Sequence, residues 1–142
     1  MRAALSLAER AQGQGEVPVG AVLVHDGRIV GEGFNRPIST CDPTAHAEMV
    51  ALREAAGHLG TYRLLNTTLY CTLEPCAMCA GGLVHARVAR LVFGARDPKA
   101  GACGSVLNLL DARELNHRVV CTGGVLEEEC GALLRAFFAA RR

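Results

Sequence analysis

The sequence predicts an α/β domain in which a mixed five-stranded sheet is covered by helices on both faces. Segments with helical spacing alternate with five short apolar segments rich in β-branched residues. Two of these segments flank the pair Asp26-Gly27, which favours a tight hairpin. Helices interleaved with five strands, of which only two form a hairpin, are typical of a mixed sheet between two helical layers.

The first half of the chain alternates in this way. "RAALSLAERAQ" has apolar residues at helical spacing, and "GQGEVP" ends that helix. "VPVGAVLVHDGRIVGEG" predicts the two strands of the hairpin. "DPTAHAEMVALREAAG" predicts a second helix, capped by Asp42 or Thr44 and ended by Gly57, with Pro43 at an early position.

The second half continues the pattern. "TTLYCTLE" predicts a third strand, and "PCAMCAGGLVHA" a helix with Pro75 in its first turn. "VARLVFG" and "RVVCTG" predict two further apolar strands, separated by a short helix in "SVLNLLDA". "LEEECGALLRAFFAARR" predicts a final helix with acids in its first turn and arginines in its last, as the helix dipole favours.

The composition favours one globular domain over residues 1–142. Half of the residues are hydrophobic and 20% are charged. No run approaches the roughly 18 apolar residues of a membrane helix. "MRAALSLAERAQGQ" lacks the features of a signal peptide, so we expect a cytoplasmic protein with no membrane partner. Its seven cysteines are then better explained by a metal or by burial than by disulfides.

Cys76 and Cys79 form a C-x-x-C motif at the start of a predicted helix. The spacing of three places both sulfur atoms on one side of the helix. The helix N-terminus lowers the pKa of a thiol and favours the thiolate that binds metal. Taken alone, the motif fits a redox pair, half of a structural zinc site or two packed thiols.

His46 lies at another predicted helix start, thirty positions before Cys76. One histidine and two cysteines are ligands that zinc accepts, and three protein ligands with an open fourth position describe a catalytic site. A closed structural site needs a fourth ligand, and that alternative stays open because the chain offers Cys41, Cys71, His85 and Cys103.

Glu48 lies two residues after His46. Two residues turn about 200° around an ideal helix, so Glu48 should not bind the same metal in the same manner. A carboxylate at the first turn can instead reach a metal-bound water and act as general base. The alternative interpretation is an acid that only stabilises the helix dipole.

The combined pattern, H-x-E followed by P-C-x-x-C, resembles the signature of zinc-dependent nucleoside and nucleobase deaminases. From "EVPVGAVLVHDGRIVGEGFNRPI" to "NHRVVCTGGVLEEECGALLRAFFAARR", nearly the whole chain is similar to the bacterial tRNA-specific adenosine deaminase family. The resemblance implies a three-layer α/β/α fold of the cytidine deaminase type and a homodimer. It also implies conversion of adenosine to inosine at the wobble position of an arginine tRNA anticodon.

The same resemblance implies roles for individual residues. His46, Cys76 and Cys79 would hold one Zn²⁺ per subunit, and Glu48 would carry protons from water to N1 of the purine and to the departing ammonia. Asn35, in "GFNRP", matches the position that hydrogen-bonds the substrate nucleoside. Ala47 matches a position whose backbone contacts the base.

Recognition of a single-stranded anticodon loop requires flat side chains for stacking and basic groups for phosphates. Fourteen arginines against one lysine fit such a role, although a G+C-rich coding sequence would produce the same bias. Phe137 and Phe138 are adjacent, so we expect one of them to face the core. The candidate RNA contacts are Arg36, His85, Arg96, Lys99, Phe138, Arg141 and Arg142.

Two other functions compete with this interpretation. A deaminase of free guanine, cytosine or a nucleoside shares the H-x-E and P-C-x-x-C motifs, because the substrate is chosen by pocket shape. A non-catalytic domain stabilised by zinc would instead use a fourth protein ligand and would not need Glu48.

Overall fold

A computed structural model describes residues 1–142, and its five strands form one mixed sheet. The spatial order is β2-β1-β3-β4-β5, with β2, β1 and β3 antiparallel and β3, β4 and β5 parallel. This confirms the predicted mixed sheet. The strands are β1 (Gly20–His25), β2 (Arg28–Phe34), β3 (Thr67–Leu73), β4 (Arg90–Ala95) and β5 (Val120–Thr122).

Helices cover both faces of the sheet, which confirms the three-layer α/β/α fold. Helices α1 and α5 pack on one face, while α3 and α4 share a core cluster on the other. None of the helices is both long and apolar enough to cross a membrane. The helices are α1 (Arg2–Gly13), α2 (Pro37–Thr40), α3 (Ala47–Leu59), α4 (Ala77–His85) and α5 (Glu127–Ala139), with a 3₁₀ turn at Leu109–Asp111.

The hairpin between β1 and β2 turns at the predicted dipeptide. Asp26 and Gly27 both have positive φ, 50° and 74°, and His25 pairs with Arg28 across the turn. Two successive residues with positive φ are typical of a type I′ turn, which matches the twist of the flanking strands. Because β1 is antiparallel to β3, this turn lies at the end of the sheet where strand β3 begins.

Several predicted boundaries differ from the structure. Helix α3 passes through Gly57 and ends at Leu59, because Gly60 supplies the left-handed residue that stops it, with φ of 69°. An interior glycine costs about 1 kcal/mol, which a well-packed helix tolerates. Arg141 and Arg142 lie beyond α5, so they do not form its last turn. Strand β5 is an exposed edge strand despite its apolar sequence.

Helix α3 lies unusually close to strand β2. A Cβ atom at Gly33 would overlap the carbonyl oxygen of Ala47, and one at Gly31 would overlap that of Ala51. Ala47, Ala51 and Ala55 are fully buried on the facing side of the helix. Small residues on both elements therefore let the two backbones touch, which fixes the position of α3 on the sheet.

Gly33→Ala tests this close approach. We expect the free energy of unfolding to fall by about 1–3 kcal/mol or more, because the new methyl group must push α3 away from β2. Urea denaturation measures the change.

Gly57→Ala is the matched control on the exposed side of α3, where an added Cβ has no heavy atom within 4 Å. Alanine there should raise stability by up to about 1 kcal/mol. Equal effects of the two substitutions would contradict the close-approach argument.

Candidate active site

His46, Cys76 and Cys79 converge on one point. The Nδ1 atom of His46 lies 3.6 Å from the Sγ atoms of both cysteines, and the three ligand atoms are all within 4.8 Å of one another. A nitrogen at about 2.05 Å and a sulfur at about 2.3 Å from a tetrahedral zinc ion are about 3.6 Å apart. The spacing therefore fits a zinc ion.

Two helix N-termini bring these ligands together. His46 is the N-cap of α3 and Cys76 is the N-cap of α4, and both have extended backbones, with ψ of 153° and 177°. Cys79 lies in the first turn of α4. The positive ends of both helix dipoles therefore face the ligand cluster and favour the anionic thiolates that bind metal.

The environment of Cys76 favours its thiolate. Hydrogen bonds from Cys79 and His46 lower the pKa of the Cys76 thiol to about 3. Thiolate and imidazole together form the donor set that zinc prefers over magnesium or calcium. The ligand cluster is thus suited to zinc by both geometry and charge.

The start of α3 differs from the prediction. Asp42 accepts hydrogen bonds from the N–H and the hydroxyl of Thr44, at 2.8 and 2.7 Å, and this closes a turn before the helix. The helix begins only at Ala47, so His46 is not in the helical turn that holds Glu48. The predicted offset of about 200° between the two residues does not apply.

Glu48 is nevertheless placed as a proton carrier. Its side chain is only 4% exposed, and burial raises the pKa of its carboxyl above the ordinary value. A carboxylate with a raised pKa exchanges protons more readily near neutral pH, which a general acid or base requires. An acid that served only the helix dipole would not need to be buried.

The four candidate fourth ligands do not join the metal cluster. Cys71 is fully buried, and burial together with the charge of Glu48 raises the pKa of its thiol, so it stays protonated. Three protein ligands leave the fourth tetrahedral position for a water or a substrate atom. This arrangement favours the catalytic interpretation over a closed structural site.

Asn35 connects strand β2 to the start of α3. Its Oδ1 atom accepts a hydrogen bond of 2.9 Å from the N–H of Ala47, next to His46. The side chain of Ala47 is fully buried against the sheet. The amide nitrogen of Asn35 remains a donor beside the metal cluster, whereas the N–H of Ala47 is engaged by Asn35.

Five of the seven candidate RNA contacts line a single cleft of about 940 Å³. Leu73, the last residue of β3, also lines the cleft. The cleft therefore opens at the carboxyl end of β3, where the chain leads to Cys76. Phe138 is 48% exposed and Phe137 is buried, as expected for the adjacent pair. The five are Arg96, Lys99, Phe138, Arg141 and Arg142.

Arg36 and His85 lie on other surfaces. The guanidinium of Arg36 stacks on the ring of Phe34 at 5.0 Å, and Arg10 stacks on the same ring at the same distance. His85 lines a separate hollow together with Tyr62. These two candidates therefore do not join the cleft.

Sequence reasoning missed two buried carboxylates that hold loops beside the site. Glu16 accepts a hydrogen bond of 2.7 Å from the N–H of Ser39, just before the metal-binding segment. Glu74 directly precedes Pro75 and Cys76, and it accepts bonds from the segment 97–105. An acid at the end of a strand next to a ligand motif was the available signal for Glu74.

Comparison with known proteins agrees with this geometry. The family model described as the cytidine and deoxycytidylate deaminase zinc-binding region matches residues 1–95. The tRNA-specific adenosine deaminase of Haemophilus influenzae is 57% identical and is aligned over 100% of this chain and 83% of its own length. The chain belongs to the tRNA-specific adenosine deaminase family. Both motifs, H-x-E and P-C-x-x-C, lie inside the span that the deaminase family model matches.

Solved structures resemble this member of the deaminase family along most of its length. One comes from studies of A-to-I editing by tRNA deaminases at the wobble position of transfer RNA; it has 42% identity, a TM-score of 0.92 and coverage of 94% of this chain and 97% of its own. A guanine deaminase from Nitrosomonas europaea has 26% identity, a TM-score of 0.85 and coverage of 97% and 82%. The cytidine deaminase-like fold is therefore confirmed.

Cys76→Ala should remove the metal. We expect the zinc content of the purified protein to fall from about one ion per chain to near zero, because two ligands hold zinc far less tightly than three. The melting temperature should also fall, since metal binding stabilises the folded state.

Mass spectrometry of metals and thermal denaturation measure the two effects. Cys41→Ala is the matched control, because Cys41 is an exposed thiol outside the metal cluster. Unchanged zinc content in Cys76→Ala would contradict the ligand assignment.

Proposed function

We propose that residues 1–142 form one zinc-dependent domain that converts adenosine to inosine at the wobble position of a tRNA anticodon, releasing ammonia. The observation that carries the proposal is the open three-ligand cluster beside a buried Glu48. The named activity of the relatives supports a tRNA substrate. An arginine tRNA follows from the family resemblance.

His46, Cys76 and Cys79 would hold one Zn²⁺ per subunit. A zinc ion bound there supplies a nucleophilic oxygen at neutral pH by lowering the pKa of water. The three residues would hold the ion at the starts of α3 and α4.

Glu48 would carry the protons of the reaction. Its carboxylate accepts a proton from the attacking water and delivers it to N1 of the purine, while the C6–O bond forms. The proton left on the new C6 hydroxyl then passes through Glu48 to the exocyclic amine, the C6–N bond breaks, ammonia leaves, and the C6 oxygen becomes the carbonyl of inosine. Because Glu48 is buried, bulk water does not compete for these protons.

Asn35 and Ala47 would orient the nucleoside. The bond from the Ala47 N–H fixes the amide plane of Asn35, which leaves its nitrogen to donate to the substrate. Such preorganisation lowers the entropic cost of holding the base near the ligand cluster. The backbone of Ala47, whose N–H is donated to Asn35, would contact the base at the helix start by packing and not by a hydrogen bond from that N–H.

The cleft would bind the anticodon loop. Arg96, Lys99, Arg141 and Arg142 supply positive charge for phosphates, and the exposed ring of Phe138 supplies a surface on which a base can stack. Arg36 and His85, which lie outside the cleft, would contact RNA beyond the loop.

We also propose a homodimer that works in the cytoplasm, where tRNA is found. Val106 and Leu107 are adjacent apolar residues that are 53% and 51% exposed. Apolar side chains clustered on a surface are typical of a subunit interface. Sedimentation of the purified protein at twice the monomer mass would support the dimer.

A deaminase of free guanine is the second candidate, because the guanine deaminase from Nitrosomonas europaea has a similar fold. The cleft favours RNA, since a free base has no phosphates to engage four cationic side chains. A zinc domain without catalysis is disfavoured, because no fourth protein ligand joins the cluster.

Inosine formation is the direct test. Purified protein is incubated with an anticodon stem-loop, free adenosine, guanine or cytosine, and the products are measured by mass spectrometry. We expect inosine from the stem-loop alone. Deamination of a free base without activity on the stem-loop would keep the zinc chemistry and overturn the tRNA substrate.

Glu48→Ala should lower turnover of the stem-loop by roughly 100-fold or more, the lower range of a general acid or base, while the zinc content stays unchanged. Glu9→Gln, an exposed acid on α1, is the control and should be active. Near-normal turnover by Glu48→Ala would exclude the proposed proton carrier.

Lys99→Ala should raise KM for the stem-loop roughly five-fold with little change in kcat, because an exposed charge pair contributes about 1 kcal/mol. The slope of log KM against log salt concentration should fall by about 0.7. Arg28→Ala is the control, since Arg28 is exposed beside the hairpin turn at the opposite edge of the sheet. Equal increases in KM for Lys99→Ala and Arg28→Ala would show that the effect comes from the net charge of the protein, which would contradict RNA binding in the cleft.

A further inference from the structure

We propose that Glu74 is a positioning residue, which fixes the wall of the cleft that contains Lys99 at a set position relative to the metal cluster. It does so by fixing the segment 97–105, here called the clamp loop, to the turn between β3 and α4. The proposal rests on the RNA substrate proposed above. Glu74 itself has no role in the proposed zinc binding or proton transfer.

The carboxylate of Glu74 is 1% exposed and is fully engaged by the clamp loop. Oε1 accepts bonds from the N–H of Asp97 at 3.2 Å and from the hydroxyl of Ser105. Oε2 accepts bonds from the N–H groups of Cys103 and Ser105, both at 3.1 Å. One side chain thus holds both ends of the loop.

The clamp loop folds tightly around this carboxylate. A Cβ atom at Gly101 would overlap the Glu74 carboxylate, so the loop backbone passes directly over it. The N–H of Ala102 donates to the carbonyl of Pro75 at 2.8 Å. Pro75 precedes the ligand Cys76, so the loop is bonded to the chain that carries the metal ligand.

The outer side of the same loop forms the cleft wall. Asp97 and Lys99 both line the cleft, and the Oδ1 atom of Asp97 accepts the N–H of Lys99 at 3.0 Å. A change at the Glu74 carboxylate is therefore transmitted through Asp97 to Lys99. The path from the metal ligand to the RNA contact consists of Cys76, Glu74, Asp97 and Lys99.

Glu74→Gln is the informative substitution, because it preserves the size of the side chain. The amide has only one accepting oxygen, and its NH₂ group would face N–H donors of the loop. We expect the clamp loop to loosen while zinc content and kcat on saturating stem-loop change less than two-fold. KM should rise roughly five-fold, about as much as the loss of Lys99 itself.

A double-mutant cycle separates positioning from a general structural role. If Glu74 positions Lys99, then Lys99→Ala raises KM roughly five-fold in the wild-type background but less than two-fold in the Glu74→Gln background. Glu16→Gln is the matched control, since Glu16 is equally buried and holds a different loop. In that background Lys99→Ala should keep its full effect.

Additive effects of Glu74→Gln and Lys99→Ala on KM would overturn the positioning role. Ser105→Ala removes one of the carboxylate's partners and serves in the same cycle if Glu74→Gln does not fold. Failure of the wild-type protein to deaminate the stem-loop would instead overturn the proposed function. The two failures are therefore distinguishable.

Discussion

Two glycines of β2 let helix α3 lie with its backbone against the sheet, and this contact fixes the position of the helix on the sheet. Gly31 and Gly33 face Ala51 and Ala47, and no larger residue fits at this distance. The helix start carries His46 at its cap and Glu48 in its first turn. The placement of the candidate metal ligand His46 and the candidate proton carrier Glu48 therefore depends on glycines outside the candidate site.

The electrostatics of the site follow from the same packing. A buried carboxylate and two thiols within a few ångströms would repel one another if all were ionised. The N-termini of α3 and α4 supply partial positive charge, and a divalent cation bound by the three candidate ligands would offset the remainder. Burial raises the pKa of the Glu48 carboxyl, whereas hydrogen bonds from Cys79 and His46 lower the pKa of the Cys76 thiol. Their surroundings therefore shift the pKa values of the two groups in opposite directions.

Sequence periodicity predicted the order of the five strands and of α1, α3, α4 and α5, because apolar spacing reports local structure. It missed the four-residue helix α2, and the helix predicted in "SVLNLLDA" is only a 3₁₀ turn. The motifs also predicted that His46, Cys76 and Cys79 belong to one metal site, and the three side chains do form one cluster. Helix boundaries were less predictable: the turn closed by Asp42 resembles a helix cap in sequence, yet the helix starts only at Ala47. The contacts of Glu74 span up to 31 residues, and no local pattern encodes hydrogen bonds between such distant segments.

The candidate metal cluster and the basic cleft are built from different parts of the chain. The family model covers residues 1–95, which include the three candidate ligands and Glu48. Every residue of the basic cleft named as an RNA contact lies after that span, from Arg96 onward. The link between the two parts is the carboxylate of Glu74, which belongs to the first part and binds the loop that begins the second.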